Sequence, residues 1–308
     1  MTHPRYLIVG ASGVLGSRLH AAIGDHAVVT YCSHAIPGGV RFDAATMRLS
    51  DVVLRGREPF SHAFLMQGVT NIDACARDPA GTREVNVKAT CRVIDDLVEH
   101  GVTPVFASSD AVFGGERGSW TEDDLPHPIL TYGRQKLEVE DYLAAKNSPW
   151  LVARLAKVVG TRRSGDILEE WMEKLDAGAP IRCATDQVFS PVHVADAVQA
   201  LMRLAAGAHS GVFNVGGPAA VTRLELLRTL IEEVRKYRAP SSQVITCSLR
   251  DFAFAEARPL DTSMSPVKLQ AALGAVCRDM KAACEQAAAV RYAELSGAQQ
   301  AAAPAARA

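Results

Sequence analysis

Short apolar runs rich in β-branched residues alternate along the first half of the chain with longer segments whose apolar positions recur every three or four residues. The runs are YLIVG at 6–10, AVVTYC at 27–32, a short VRFDA at 40–44, HAFLMQG at 62–68, PVFASS at 104–109 and WLVARLAKVVG at 150–160. Between them a helical period covers 14–24, 47–55, 79–100 and 132–146. Strand and helix in turn at these lengths predict βαβ units, a mostly parallel sheet and a doubly wound α/β fold. Crossovers in such sheets are right-handed, so a ligand belongs at the carboxyl ends of the strands, and chemistry is expected just after each one.

Beyond Gly160 the rhythm loosens. Residues 164–178 predict one amphipathic helix, CATDQVFSPVHV at 183–194 reads as extended, 195–206 as helical and GVFNVGG at 211–217 as a buried strand. The TRLE run at 222 is a capping box, Thr222 and Glu225 closing the start of a helix that reaches about Lys236. Further helical runs lie at 266–273 and 278–295, and the low-complexity stretch 297–308 reads as a disordered tail. The pattern divides the chain into a doubly wound domain over 1–160, completed by about 190–217, and a smaller C-terminal α/β lobe over 161–189 and 218–296.

Composition narrows the function more than the fold. The 308 residues are 48% hydrophobic and 22% charged with a formal charge of -1, which leaves no electrostatic footprint for nucleic acid or anionic lipid. No run approaches the ~18 apolar residues of a membrane span, and MTHPRYLIVG has neither a basic leader nor a cleavage site, so a cytoplasmic protein is expected. Seven scattered cysteines without a CxxC pair, and no histidine at ligand spacing, predict reduced thiols and no metal.

GASGVLG follows the first strand at once and leads into the first helix, giving GxxGxxG at Gly10, Gly13 and Gly16. Such a turn lets the backbone approach a pyrophosphate, whose charge meets the free N–H groups at the helix start. Ser12, Val14 and Leu15 are expected there too, and Met66, Gln67, Gly68 and Ser108 face the same cofactor from later strand ends. A carboxylate at the end of the second strand would bind the ribose of NAD; here TYCSHA offers Ser33 and His34, which suit the 2′-phosphate of NADP better, although that stretch contains no arginine. NADP is therefore preferred and NAD remains open. Asp43 reads equally as an adenine contact or a helix cap.

After PVFA come Ser108 and Ser109, and 23 residues beyond Ser109 begins YGRQK, with Tyr132 and Lys136 one helical turn apart. Residues at i and i+4 share a face, so an ammonium beside the phenol would lower its pKa toward working pH. The expected roles are Ser109 as hydrogen-bond partner of a substrate carbonyl, Tyr132 as its proton donor, and Lys136 as holder of the cofactor ribose that also acidifies the phenol.

At these residues the sequence resembles an extended short-chain dehydrogenase/reductase, in the branch of dTDP-4-dehydrorhamnose reductase and related sugar-nucleotide-binding proteins. The matching stretches are GASGVLGSRL, VTNIDACARDPAGTREVNVKAT, ASSDAVFGG, YGRQKLEVED, FSPVHVADA, GVFNVGGP and RPLDTSMSPVKL, in order over about 6–275. The resemblance implies a Rossmann fold, the catalytic set Ser109, Tyr132 and Lys136, and Asn86 as a support of the active site. On the substrate side it implies Thr70, Asp110 and Arg258, the last facing a diphosphate; Lys157 reads equally as a second diphosphate contact or as an exposed surface lysine. Departures cluster around the sugar: Ala111 replaces an aromatic, Gln67-Gly68-Val69-Thr70 replaces Ala-Ala-Tyr-Thr, and Lys157 replaces a tryptophan. The hydride machinery is thus implied whole while the sugar pocket is not the standard one.

The leading expectation is an NAD(P)-dependent reductase of a keto, 4-keto-6-deoxy, nucleotide sugar in surface polysaccharide or deoxysugar synthesis, with a homodimer possible; the apolar stripe through 86–98 reads as a helix face against the sheet or as a dimer interface. Two alternatives stay open: an epimerase that retains NAD, and a non-catalytic subunit like the regulatory beta subunit of methionine adenosyltransferase. His193 is expected to be a packed structural histidine and Asp196 a helix cap.

Overall fold

The computed structural model describes residues 5–302 except 57, 164 and 276, and describes side chains as far as residue 295. In chain order the strands are β1 (Tyr6–Val9), β2 (Ala27–Tyr31), β3 (Val40–Arg41), β4 (His62–Leu65), β5 (Thr103–Ser109), β6 (Leu151–Leu155), β7 (Val158–Val159), β8 (Ile181–Ala184), β9 (Val188–Phe189), β10 (Val192–His193), β11 (Gly211–Val215), β12 (Val221–Thr222) and β13 (Val244–Cys247). The helices are α1 (Val14–Ile23), α2 (Ile72–Arg77), α3 (Pro79–Arg83), α4 (Thr90–Glu99), α5 (Thr131–Ala144), α6 (Ile167–Ala177), α7 (Val194–Ala206), α8 (Arg223–Val234), α9 (Val267–Leu273) and α10 (Met280–Ala302).

Seven strands form one parallel sheet in the order β11-β6-β5-β4-β1-β2-β3. A strand buried on both faces needs no polar alternation, which is why β5 and β6 read as near-continuous apolar runs. One layer packs Leu19 and Ile23 of α1 and Leu201 of α7 against Ile8, Phe64 and Val105. The other packs Val93, Ile94 and Leu97 of α4 and Val139 of α5 against Leu7, Phe106 and Val152, so the stripe through 86–98 covers the sheet. A separate core of Trp171, Met172, Leu226, Leu230 and Cys284 holds the C-terminal lobe together. Strand order reverses between β1 and β4, and the crevice there is where such sheets take ligands.

The differences from the sequence expectations are local. Residues 47–55 form only a wide, π-type turn over Ser50–Leu54. α2, β12 and β13 were not foreseen, and α10 runs on through Ala302, past the expected start of the tail at 297; the tail's remainder lies outside the described residues. The cap of α7 is His193, whose Nδ1 accepts from the Ala195 N–H at 3.2 Å. Asp196 is not a cap: it is buried and accepts from the Arg278 guanidinium and backbone N–H, at 2.7 Å for the closest pair.

Candidate active site

The carboxyl edge of the sheet opens into a cleft of about 570 Å³ facing the lobe. Gly13, Val14 and Leu15 line it at the start of α1, and Met66, Gln67, Gly68 and Thr70 line it after β4. Gly13 is the N-cap of α1 and offers no side chain to the first N–H groups, leaving them for an anion. Gly10 behind it has φ +86°, and a Cβ there would stand 2.8 Å from the Gln67 amide nitrogen, so glycine alone allows β1 and β4 to end this close together. Gln67 brings a second preparation, a buried Oε1 without a partner among the described residues. Ser12 and His34 line a neighbouring cavity instead. Ser33 bonds to His34 Nδ1 at 3.1 Å, and Asp43, on neither cavity, accepts from the Ala45 N–H at 2.9 Å at the head of a turn rather than of a helix.

Ser109, Asp110, Tyr132 and Lys136 meet on the floor of the cleft. β5 delivers Ser109 at its end, and α5 delivers the tyrosine and lysine on one face. The two elements touch at Gly133, where an added Cβ would lie 2.0 Å from the Ala111 carbonyl oxygen. A carboxylate from the lobe fixes the start of the same helix: the Thr131 N–H donates to Glu256 at 2.9 Å and its hydroxyl at 2.6 Å. Asn86 ties the β4 loop to α5, accepting from the Val69 N–H at 2.7 Å and donating to Gln135 Oε1 at 2.8 Å. It sits in a π-type turn, Glu84–Ala89, of the kind that collects at functional sites.

Burial governs the charges. Lys136 Nζ donates to the Ala107 carbonyl at 2.7 Å and stands 5.6 Å from the Tyr132 ring centroid; burial lowers its pKa to about 8 against the opposing pull of Glu140. The phenol of Tyr132 is pushed above its usual value, first by burial and then by Asp110 and Cys75, with only the Ser109 hydroxyl lowering it. The expected acidification by Lys136 is therefore reversed in the free protein: the site keeps Tyr132 protonated, as a proton donor must be. Asp110, likewise raised by burial, accepts from Ser109 and Thr262, each at 3.0 Å. Ser108 also lines the cleft, but its hydroxyl donates to Glu140, which pairs with Arg154 at 2.7 Å in the buried layer beneath.

The lobe side of the cleft carries cations. Lys157 is exposed and, among the described residues, its side chain donates to the Gly165 carbonyl, at 3.3 Å. Arg223, unforeseen in the sequence, holds Gln187 Oε1 at 3.1 Å and leaves Nε buried without a partner among the described residues. Arg258 is clamped to Asp73 at 2.6 Å, over the Phe254 ring at 4.7 Å, with Nη1 likewise unpartnered. A larger cavity of about 1130 Å³ lies between α1, α6, α7 and α10; three of its arginines are paired with carboxylates, Arg278 with Asp196, Arg291 with Glu169 and Arg162 with Glu294, while Arg203 and Arg18 donate to the Leu273 and Thr161 carbonyls.

A parallel sheet with a glycine turn at its first strand, and a serine, tyrosine and lysine converging above the switch point, defines an NAD(P)-dependent oxidoreductase of the extended short-chain type. The family model described as the RmlD substrate binding domain matches residues 4–292, and the chain belongs to that family. A relative named probable low-salt glycan biosynthesis reductase Agl14, from Haloferax volcanii, is 28% identical over 70% of this chain and 75% of its own. The dTDP-4-dehydrorhamnose reductase of Mycobacterium tuberculosis is 27% identical over 83% and 88%. The methionine adenosyltransferase 2 subunit beta of Rattus norvegicus is 25% identical over 78% and 74%. Among solved structures, a dTDP-4-dehydrorhamnose reductase from Bacillus anthracis in complex with NADP shares the fold, with TM-score 0.82 at 19% identity over 92% and 98%.

Proposed function

We propose that this protein reduces the keto group of a nucleotide-linked sugar, of the 4-keto-6-deoxy kind, with Tyr132 as proton donor. NADPH, when bound, supplies the hydride to the carbonyl carbon. The Ser109 hydroxyl and the Tyr132 phenol address the carbonyl oxygen, and the phenol proton goes to that oxygen as the C=O becomes CH–OH, leaving a phenolate. Lys136, held by Ala107, stands where its ammonium meets both a ribose and the phenolate once formed. The free N–H groups of α1 and the unpartnered Gln67 Oε1 suit a dinucleotide. Lys157 and Arg223, with Arg258 beside them, suit the substrate's diphosphate, since a guanidinium with spare donors favours such an anion. We place the reaction in the cytoplasm, in surface polysaccharide or deoxysugar synthesis, with a homodimer as the assembly to test by sedimentation. Among the described residues no helix is long and apolar enough to cross a membrane.

The observation that carries this reading is the convergence of Ser109, Tyr132 and Lys136 on one cleft beside the uncapped start of α1. Its test is NADPH consumption in step with alcohol formed from a panel of keto nucleotide sugars. Turnover without net cofactor use, by protein purified with NAD bound, would favour the epimerase. The likeness to the methionine adenosyltransferase subunit favours a third reading, a non-catalytic one. That reading expects dinucleotides and sugar nucleotides to raise the melting temperature with no turnover of any of them.

A further inference from the structure

The segment after β2 lacks the arginine that a 2′-phosphate calls for, and the fold brings one from 130 residues downstream. A cavity of about 450 Å³ beside the glycine turn is lined by Ser12, Ser17 and His20 from the turn and α1, by His34 after β2, and by Arg163 from the loop after β7. Among the described residues no carboxylate lines it. Among the described residues the Arg163 side chain makes one hydrogen bond, Nη1 to the Ser12 carbonyl at 3.4 Å, and no ion pair. The loop that carries it is held on both flanks. The Thr161 and Arg162 N–H groups donate to Asp166, which also accepts from the Leu168 N–H at 3.1 Å, and the Arg162 side chain pairs with Glu294 of α10.

We infer that Arg163, reaching across the mouth of the cleft to His34 and Ser12, is the residue that selects NADPH over NADH by holding the 2′-phosphate. The position follows from the fold, because the ribose hydroxyls of a dinucleotide are read at the end of the second strand of a doubly wound sheet. The chemistry follows from the lining: a planar guanidinium with free donors, imidazoles and a hydroxyl, with no competing carboxylate, suits a dianionic phosphate. One surface of the cofactor site thus belongs to a loop beyond the Rossmann half.

This inference rests on the dinucleotide site proposed above, and direct binding separates the two. NADPH and NADH are titrated against the wild type, Arg163→Ala and Arg163→Lys by their own fluorescence, and the thermal shifts given by 2′,5′-ADP and 5′-AMP are compared. In Arg163→Ala the Kd for NADPH rises about tenfold or more while that for NADH stays within about twofold, the loss expected for a hydrogen-bonded charged partner. The shift from 2′,5′-ADP falls to that of 5′-AMP, and Arg163→Lys recovers part of both. Equal weakening of the two cofactors, or an unchanged Kd for NADPH, overturns the role of Arg163. A wild type that binds neither cofactor overturns the dinucleotide reading itself.

Discussion

The two walls of the cleft are built on opposite terms. On the sheet wall nearly every functional group is already committed: Lys136 to Ala107, Ser109 to Asp110, Asn86 to Val69 and Gln135, Glu140 to Arg154. On the lobe wall Arg223 and Arg258 keep buried donors unused, and Lys157 holds a single carbonyl. A hydrogen bond completed before the substrate arrives costs nothing to organise during the reaction, so the sheet wall is prepared for chemistry. Donors left open in a partly dry cleft are satisfied only by a ligand, so the lobe wall is prepared for recognition.

The largest effect that would break this contrast is on turnover. Tyr132→Phe removes the proton donor while keeping the ring, and NADPH oxidation with the reducible substrate should fall by about 10²–10⁴-fold with cofactor binding retained. A variant still within about tenfold of the wild type would leave the sheet wall without its chemistry.

Next comes the layer under that wall. Glu140→Gln strips the buried Arg154 of its counter-charge, and breaking such a pair costs about 3–5 kcal/mol. Urea unfolding should show this as a lower midpoint with the slope unchanged; a loss under about 1 kcal/mol would mean that Arg154 is not relying on Glu140.

On the opposite wall Arg223→Met should raise KM for the nucleotide sugar about tenfold or more, with kcat and the Kd for NADPH near wild type. A fall in kcat at constant KM would move Arg223 from recognition to chemistry.

The last effect is a slope with pH, set by Lys136. Its pKa is held near 8 in the fold against 10.5 outside it, so between those values the unfolded chain binds the additional proton. The lysine's contribution to stability therefore rises with pH across that window, by at most about 1.4 kcal/mol per unit. Lys136→Met should remove this slope, measured as the difference between the two proteins' unfolding free energies from pH 8 to 10.5. Parallel curves would show the ammonium to be better hydrated than its burial implies.

What could be read from the sequence was what nearby residues settle among themselves. The β1-turn-α1 unit, the capping box at Thr222 and the one-turn spacing of Tyr132 and Lys136 are local, and each stands where the pattern puts it. Groups defined by distant partners stayed hidden. Arg223 and Arg163 look like ordinary surface arginines until the chain folds, Asp196 looks like a cap until Arg278 arrives, and nothing near Ser108 in sequence announces that its hydroxyl is taken by Glu140. The sign of the Tyr132 shift was misjudged for a related reason: spacing reveals a neighbouring charge, whereas burial is a property of the whole core. α2 escaped notice because its six residues are too few to show a period, although Asn71, which accepts from the Ala74 N–H, is a cap signal.

The widened turn at Glu84–Ala89 fixes length where it leaves composition free. Each residue added to or removed from a helix swings everything beyond it by about 100°. Removing one residue here would tighten the coil and rotate Asn86 off Val69 and Gln135, so insertions and deletions are barred from this stretch even where outward-facing substitutions such as those at Glu84 or Lys88 are harmless.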